Sequence, residues 1–135
     1  LPWLGYLDKL AKCDLFVVMD DLQYEAQNFQ NRNRLKLAHG PHWLSVPLVR
    51  GDQTDRVLDK RLDNAGRGGR HRWQHRHWRT LVTHYGRAPH FARYADELED
   101  VYLRHWDSLV DLDLHMLELA RRWLRITGPI VRISL

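Results

Sequence analysis

The chain has 135 residues, 44% of them hydrophobic, and a formal net charge of +4, which together indicate one folded domain over residues 1–135 and exclude a disordered chain. Its one cysteine excludes an internal disulfide framework and is typical of a reducing compartment, so we expect a cytoplasmic protein. No apolar run approaches the ~20 residues of a membrane-spanning helix, and the first residues lack the basic and then apolar pattern of a secretory signal.

The first two predicted elements are a helix and a strand. Apolar residues recur at helical spacing over residues 3–12, whereas residues 15–19 form an apolar run without polar alternation, as in a strand covered on both faces. This order predicts an α/β fold with a small, mostly parallel sheet and flanking helices. Because a parallel sheet would place another strand before the helix, we expect an incomplete Rossmann-like domain that is a fragment of a longer protein.

The middle of the chain predicts short elements joined by turns. We predict a short helix over residues 31–37. A strand follows over residues 43–49, and Pro47 confines it to a sheet edge or ends it. Residues 57–62 predict a short strand, and the glycine-rich composition of residues 64–69 predicts a flexible loop.

The second half predicts three helices and a last strand. The first helix covers residues 73–85, and its apolar stripe consists of Trp78, Leu81, Val82 and Tyr85. Pro89 opens the second helix, and Ser108 is the predicted N-cap of the third. Residues 130–133 predict a strand after a Gly-Pro stop.

Polar residues after the first strand form the first candidate site. Asp20 and Asp21 follow the apolar run directly, and ligands of α/β sheets bind at the carboxyl ends of strands. We interpret the two acids as catalytic residues that transfer protons or hold Mg²⁺, and the alternative is a turn or a helix cap. The amide-rich passage after them adds candidate substrate-binding residues with many hydrogen-bond donors: Gln23, Asn31, Arg32, Asn33 and Lys36.

These residues predict a cleft for an anionic small molecule. We expect Asp20, Asp21, Arg32 and Asn33 to converge at the carboxyl end of the strand, since the strand aims the acids and the following passage returns the bases. Arg32 and Lys36 would then bind a phosphate or a carboxylate. The alternative for the basic residues is a solvated helix face.

Five short motifs resemble the WbqC-like protein family of bacteria. They are LPWLGY, D-x-F-V-x-x-DD-x-Q-Y, Q-N-R-N, W-x-x-R-H and Y-G-x-A-P-x-F, and they cover residues 1–91. The resemblance implies a biosynthetic transferase that acts on an activated or phosphorylated small molecule, in surface-polysaccharide or secondary-metabolite biosynthesis. Such proteins usually have a strand and His-Gln-Pro ahead of LPWLGY, and more often Lys where this chain has Arg76. A lysine-based mechanism is therefore not expected here.

The W-x-x-R-H motif adds three residues to the candidate site. His77 is a candidate general acid or base, with a polar helix residue as the alternative, and Trp73 and Arg76 are candidate substrate-binding residues. His71 and His75 have the spacing of a metal pair, but the arginines around them disfavour a second cation, so we predict no metal site. The cofactor and the oligomeric state stay open.

An arginine-rich segment supports a different interpretation. Residues 66–79 combine arginines with Trp73 and Trp78, a composition typical of modules that bind nucleic-acid phosphates and stack bases. The alternative function is therefore nucleic-acid binding. Affinity that falls steeply with salt would distinguish it from the binding of a small molecule.

Overall fold

The computed structural model describes residues 2–65 and 73–134. The elements in chain order are α1 (Leu4–Lys12), β1 (Phe16–Val18), β2 (Arg32–Leu37), β3 (Gly40–Ser45), a 3₁₀ turn (Val57–Asp59), α2 (Trp73–Tyr85), α3 (Phe91–Leu103), α4 (Leu109–Trp123) and β4 (Ile130–Arg132). Helices and short strands are both present, which agrees with the α/β prediction. No helix in the described ranges is both long enough and apolar enough to cross a bilayer.

A parallel pair of strands, β1 and β4, brings the two ends of the chain together. Phe16 lies opposite Ile130, and Val18 lies opposite Arg132. The inner face of this pair packs on buried leucines of α1 and α4, which are Leu7, Leu10 and Leu117. The predicted helix over residues 3–12 and both predicted strands at the ends of the chain are therefore confirmed.

The second pair of strands, β2 and β3, forms an antiparallel hairpin, so the predicted helix over residues 31–37 is wrong. Leu35 and Leu37 alternate with more exposed Arg34 and Lys36, and this period of two is the pattern of a strand. Gly40 at the turn has φ of +112°, a conformation that favours glycine. With one parallel and one antiparallel pair, the described sheets are not mostly parallel, and a Rossmann-like arrangement stays a prediction.

The predicted strand over residues 57–62 is largely a 3₁₀ turn that supports the segment after β1. The Val57 N–H donates to the Leu22 carbonyl at 2.9 Å, and the Leu58 N–H donates to the Asp20 carbonyl at 2.9 Å. Only the end of the predicted strand is extended, where Leu62 forms an isolated bridge with Leu48. Residues 66–69 of the predicted flexible loop lie outside the described residues.

The main core lies among the last three helices. All three start close to their predicted positions, and the Ser108 hydroxyl accepts from the Asp111 N–H at 3.4 Å as the predicted N-cap of α4. Three residues of the predicted stripe of α2, Trp78, Leu81 and Tyr85, are half-buried on the inward face of this helix, and the prediction is wrong for Val82. The buried residues of α2 are Trp73, Gln74 and His77, whereas Val82 is 43% exposed.

Candidate functional site

A cleft of about 490 Å³ opens at the carboxyl end of β1, and we call it the β1 cleft. Its walls come from α1, from β1 and the residues after it, from residues 28–30 and from α4. Its polar and charged lining residues are Tyr6, Lys9, Asp20, Asn28, Gln30 and Asp113. The cleft therefore lies where the strand-end rule predicts a ligand, and it carries groups that can bind or transfer protons.

Asp20 lies in this cleft with one oxygen engaged and the other unused. Its side chain is 2% exposed, and Oδ2 accepts hydrogen bonds from Arg132 Nε at 2.6 Å and from Ser134 Oγ at 2.7 Å. Within residues 2–65 and 73–134, its buried Oδ1 has no hydrogen-bond partner. Burial raises the pKa of the Asp20 carboxyl, but the hydrogen bonds from Ser134 and Arg132 outweigh burial, so the net pKa lies below its usual value. Asp20 is therefore an ionised carboxylate that can accept a further donor.

Asp113 on α4 is a second acid in the β1 cleft, and it was not predicted from the sequence. Burial raises the pKa of its carboxyl to about 6. The hydroxyl of Tyr6 also has a raised pKa, because of its burial and then because of the charge of Asp113. Asp113 is one turn from Leu109 and one turn from Leu117, so an acid within the apolar stripe of α4 was the available signal.

An aromatic row borders the cleft. The rings of Trp3 and Phe29, which both line it, stack with centroids 5.4 Å apart, and Phe29 contacts Trp43 at 5.4 Å. A Cβ atom on Gly5 would come within 2.2 Å of carbons in the Trp3 ring. The glycine of LPWLGY therefore allows the ring of its own tryptophan to lie against α1.

Replacing Gly5 with alanine is expected to push the Trp3 ring off α1 and to break its stacking on Phe29. Because Trp3 is 41% exposed, the ring can move toward solvent, so we expect the free energy of unfolding to change by no more than about 1 kcal/mol. The near-ultraviolet circular dichroism should change. Gly128→Ala is the control, because a Cβ there would have only ordinary contacts, at 3.5 Å or more. An unchanged spectrum in Gly5→Ala would contradict this account of the wall.

Arg32 and Asn33 shape the surroundings of the β1 cleft without lining it. Arg32 donates from Nε to the Asn28 carbonyl at 3.2 Å and also donates to the Gln27 carbonyl, and its guanidinium lies 4.3 Å from the centroid of the Trp43 ring. Asn33 donates to the Pro2 carbonyl at 2.8 Å. These contacts hold residues 27–28 and Pro2, and of these Asn28 and Pro2 line the cleft.

The predicted convergence of Asp20, Asp21, Arg32 and Asn33 is therefore corrected. Of these four residues, Asp20 alone is among those that line the β1 cleft. Asp20 and Asp21 lie in the turn after β1, and Asp21 is not among the residues that line the cleft. Arg32 and Asn33 belong to β2, and their side chains donate hydrogen bonds to the backbone carbonyls of Asn28 and Pro2. Their roles in binding stay predictions.

The other candidates after β1 are spread along the chain. Gln23 donates to the Gln53 carbonyl at 2.6 Å, and Asn31 donates to the Val46 carbonyl at 2.9 Å. Lys36 has an exposed side chain, and its own carbonyl accepts from the Tyr85 hydroxyl at 2.6 Å. None of these three side chains is among those that line the β1 cleft.

His77 and Trp73 lie in the core of the protein. His77 is 2% exposed, and burial is the main cause that lowers its pKa to about 4. Its Nε2 is 3.1 Å from the Ser45 carbonyl, which can only accept, so the neutral ring donates from this nitrogen. Trp73 is 4% exposed, and its indole nitrogen donates to Asn64 Oδ1 at 3.3 Å. Neither ring is open to a ligand in this arrangement.

The exposed face of α2 is basic, and it is separate from the β1 cleft. Arg76 and Arg79 line a shallow groove of about 290 Å³ on this helix. The ring of Trp78 stacks against Phe91 and Tyr102 at centroid distances of 6.0 Å and 6.2 Å. The arginines can meet phosphates, but the tryptophans that motivated the nucleic-acid interpretation pack inside the protein.

Another groove, of about 540 Å³, lies beside β4. Its residues are mainly apolar, and its charged groups are Glu118 and Arg132. Glu118 pairs with Arg121 at 2.9 Å and Arg132 pairs with Asp20 at 2.6 Å, so both charges are already engaged. Across the described ranges, no group of three or more His, Cys, Asp or Glu side chains is placed to hold a metal ion. The β1 cleft is therefore the candidate site with the most side chains that can bind a ligand or transfer a proton.

Comparison with known proteins gives a family match and an uncharacterised relative. The model of the WbqC-like protein family matches residues 1–135. A relative from Mycobacterium tuberculosis, named uncharacterized protein Rv1507c, is 38% identical over 113 residues, which are 83% of this chain and 46% of the relative. The chain thus spans about half the length of this curated relative. No solved structure matches the chain.

Proposed function

Because the chain belongs to the WbqC-like protein family, we propose that it forms the substrate-binding part of a biosynthetic transferase. The substrate is an activated or phosphorylated small molecule, in surface-polysaccharide or secondary-metabolite biosynthesis. The observation that carries this proposal is the β1 cleft, where Asp113 has a pKa of about 6 and Asp20 keeps an unused acceptor oxygen. A transferase needs both a proton acceptor near neutrality and a group that orients the acceptor substrate.

Asp113 is the proposed general base of this reaction. When an acceptor hydroxyl or amine attacks an activated donor, its proton must go to a nearby group. A carboxyl with a pKa of about 6 is ionised at neutral pH and is a stronger base than an ordinary aspartate. Asp20, whose pKa is lowered, stays ionised and suits a binding role. The two acids thus have different proposed tasks because their surroundings shift their pKa values in opposite directions.

Lys9 is the proposed partner of the anionic part of the substrate. It lines the β1 cleft from α1, and its side chain is exposed, so it lies at the rim and not at the floor. A lysine ammonium binds phosphate as a point charge and needs no fixed geometry. This position allows a phosphorylated ligand to keep its charge near solvent while its reacting end reaches the two acids.

Replacing Lys9 with glutamine is expected to weaken the binding of a phosphorylated ligand about tenfold, because one charged partner is lost. A thermal-shift screen of nucleotides, nucleotide sugars and acyl donors identifies the ligand, and calorimetry then measures its affinity. Lys12→Gln is the matched control, because Lys12 is an exposed lysine of the same helix that pairs with Asp8 at 2.7 Å. Equal affinities for the two variants would contradict the role of Lys9. If no class of donor stabilises the protein, the transferase proposal fails.

A further inference from the structure

The outer face of the β2–β3 hairpin combines basic side chains with a tryptophan. Because side chains alternate in direction along a strand, Arg32, Arg34 and Lys36 of β2 share one face. The register places Trp43 of β3 opposite Arg34, so the tryptophan lies on this same face. The other face carries Leu44, which is 7% exposed and belongs to the core. The face with the three cations and Trp43 therefore meets solvent, and we call it the hairpin face.

The positive charge of the hairpin face is not balanced by acids of the same hairpin. Residues 26–51 contain no Asp or Glu. Arg34 and Lys36 have exposed side chains, and in the part of the chain that the structure describes neither forms an ion pair with a carboxylate. Arg32 donates to two backbone carbonyls, which leaves its charge in place. The hairpin face therefore attracts anions.

The spacing of the three cations suits a chain of phosphates. Successive residues on one face of a strand are about 6.6 Å apart, so the row from Arg32 to Lys36 is about 13 Å long. A single phosphate group cannot contact all three cations of a row of this length. A nucleic-acid strand carries one phosphate per ~3.4 Å of its axis, so several of its phosphates can lie along the row.

Trp43 provides a surface on which a base can stack. Its side chain is 40% exposed, and the guanidinium groups of Arg32 and Arg34 lie 4.3 Å and 5.3 Å from the centroid of its ring. Unpaired bases stack on aromatic rings and on the planes of arginine side chains. A polymer that carries only carboxylates would contact the cations and gain nothing from the ring. A duplex keeps its bases stacked inside, so a single strand fits the hairpin face better.

We propose that the hairpin face binds single-stranded nucleic acid, with phosphates along β2 and a base against Trp43. This surface differs from the arginine-rich segment 66–79, where Trp73 is 4% exposed. None of the four residues of the hairpin face lines the β1 cleft. The inference therefore goes beyond the proposed function, and the failure of either one leaves the other intact.

Fluorescence anisotropy with labelled DNA of about 12 nucleotides tests the proposal. At low salt we expect a mixed-sequence single strand to bind, and the logarithm of its affinity to fall linearly with the logarithm of the salt concentration. The duplex of the same sequence and polyglutamate should bind about tenfold more weakly, because neither can stack on Trp43. Equal affinities for the three polymers would overturn the proposal, and so would the absence of single-strand binding at low salt.

Variants of the hairpin face locate the site. Arg34→Gln with Lys36→Gln removes two exposed cations and should make the salt dependence shallower, by about 1.4 in slope. Trp43→Ala should weaken the single strand about tenfold and leave the duplex unchanged. Arg76→Gln with Arg79→Gln is the matched control, because it removes two exposed arginines of α2, and it should bind as the unmodified protein does.

The double cation variant changes exposed side chains alone, so it decides the question if Trp43→Ala does not fold. An unchanged salt dependence in this variant would overturn the proposal. An equal loss of binding in the α2 variant would overturn it too, because binding would then follow the overall charge of the protein.

Discussion

Replacing Asp113 with asparagine is expected to stabilise the folded protein at neutral pH by up to ~3 kcal/mol. Burial raises the pKa of this carboxyl from 3.8 to about 6 in the folded state, so folding at neutral pH places an ionised group where the neutral form is preferred. Asparagine is neutral and similar in shape, and it avoids this cost. A group that destabilises the fold while it serves a site is a common feature of enzymes.

The contribution of Asp113 to the free energy of unfolding depends on pH. Because the folded pKa is raised, Asp113 contributes stability that is fully present below about pH 3.8 and is lost as the pH rises through about 6. The difference between Asp113→Asn and the unmodified protein should therefore grow over this window and stay constant above it. Urea denaturation at a series of pH values measures it, with Asp96→Asn as the charge-matched control. A difference that does not change with pH would mean that Asp113 is not shifted by burial.

The elements with a single strong pattern could be predicted from the sequence. The amphipathic spacing of α1, the apolar run of β1 and the Ser108 cap of α4 each reflect local physics, and the structure has all three. The segment Arg32–Leu37 was wrongly predicted as a helix, although Leu35 and Leu37 alternate with exposed residues at the period of a strand. This period of two is the signal in the sequence that indicates the strand.

The candidate site could be predicted only in part. The strand-end rule located Asp20 because that rule depends on β1 alone. Asp113 comes from α4, and its place in the same cleft as Asp20 depends on the packing of α4 against the β1–β4 pair, which no local pattern specifies. The burial of His77 was missed for a similar reason, since Gln74 and His77 are polar residues whose burial on the inward face of α2 depends on the elements packed against it.

His77 is expected to lower the stability of the folded protein in acid when the opposing effect of Asp113 is removed. Burial is the largest cause that lowers its pKa from 6.5 to about 4. The unfolded chain therefore binds a proton on this residue more readily than the folded protein does. The resulting stability is fully present above about pH 6.5 and is lost as the pH falls to about 4, with a total of ~3 kcal/mol. Asp113 acts in the opposite direction over nearly the same window, so the two effects largely cancel in the unmodified protein.

Asp113→Asn removes that cancellation and exposes the effect of His77. In this background, the free energy of unfolding should fall by ~3 kcal/mol between about pH 6.5 and pH 4. The double variant, Asp113→Asn with His77→Gln, keeps a neutral donor for the Ser45 carbonyl. Its free energy of unfolding should fall much less over the same pH range. His115, whose pKa burial also lowers, is present in both proteins, and its contribution cancels in the comparison. Denaturation curves at each pH provide the measurement, and equal slopes in the single and double variants would show that His77 is not the buried neutral group.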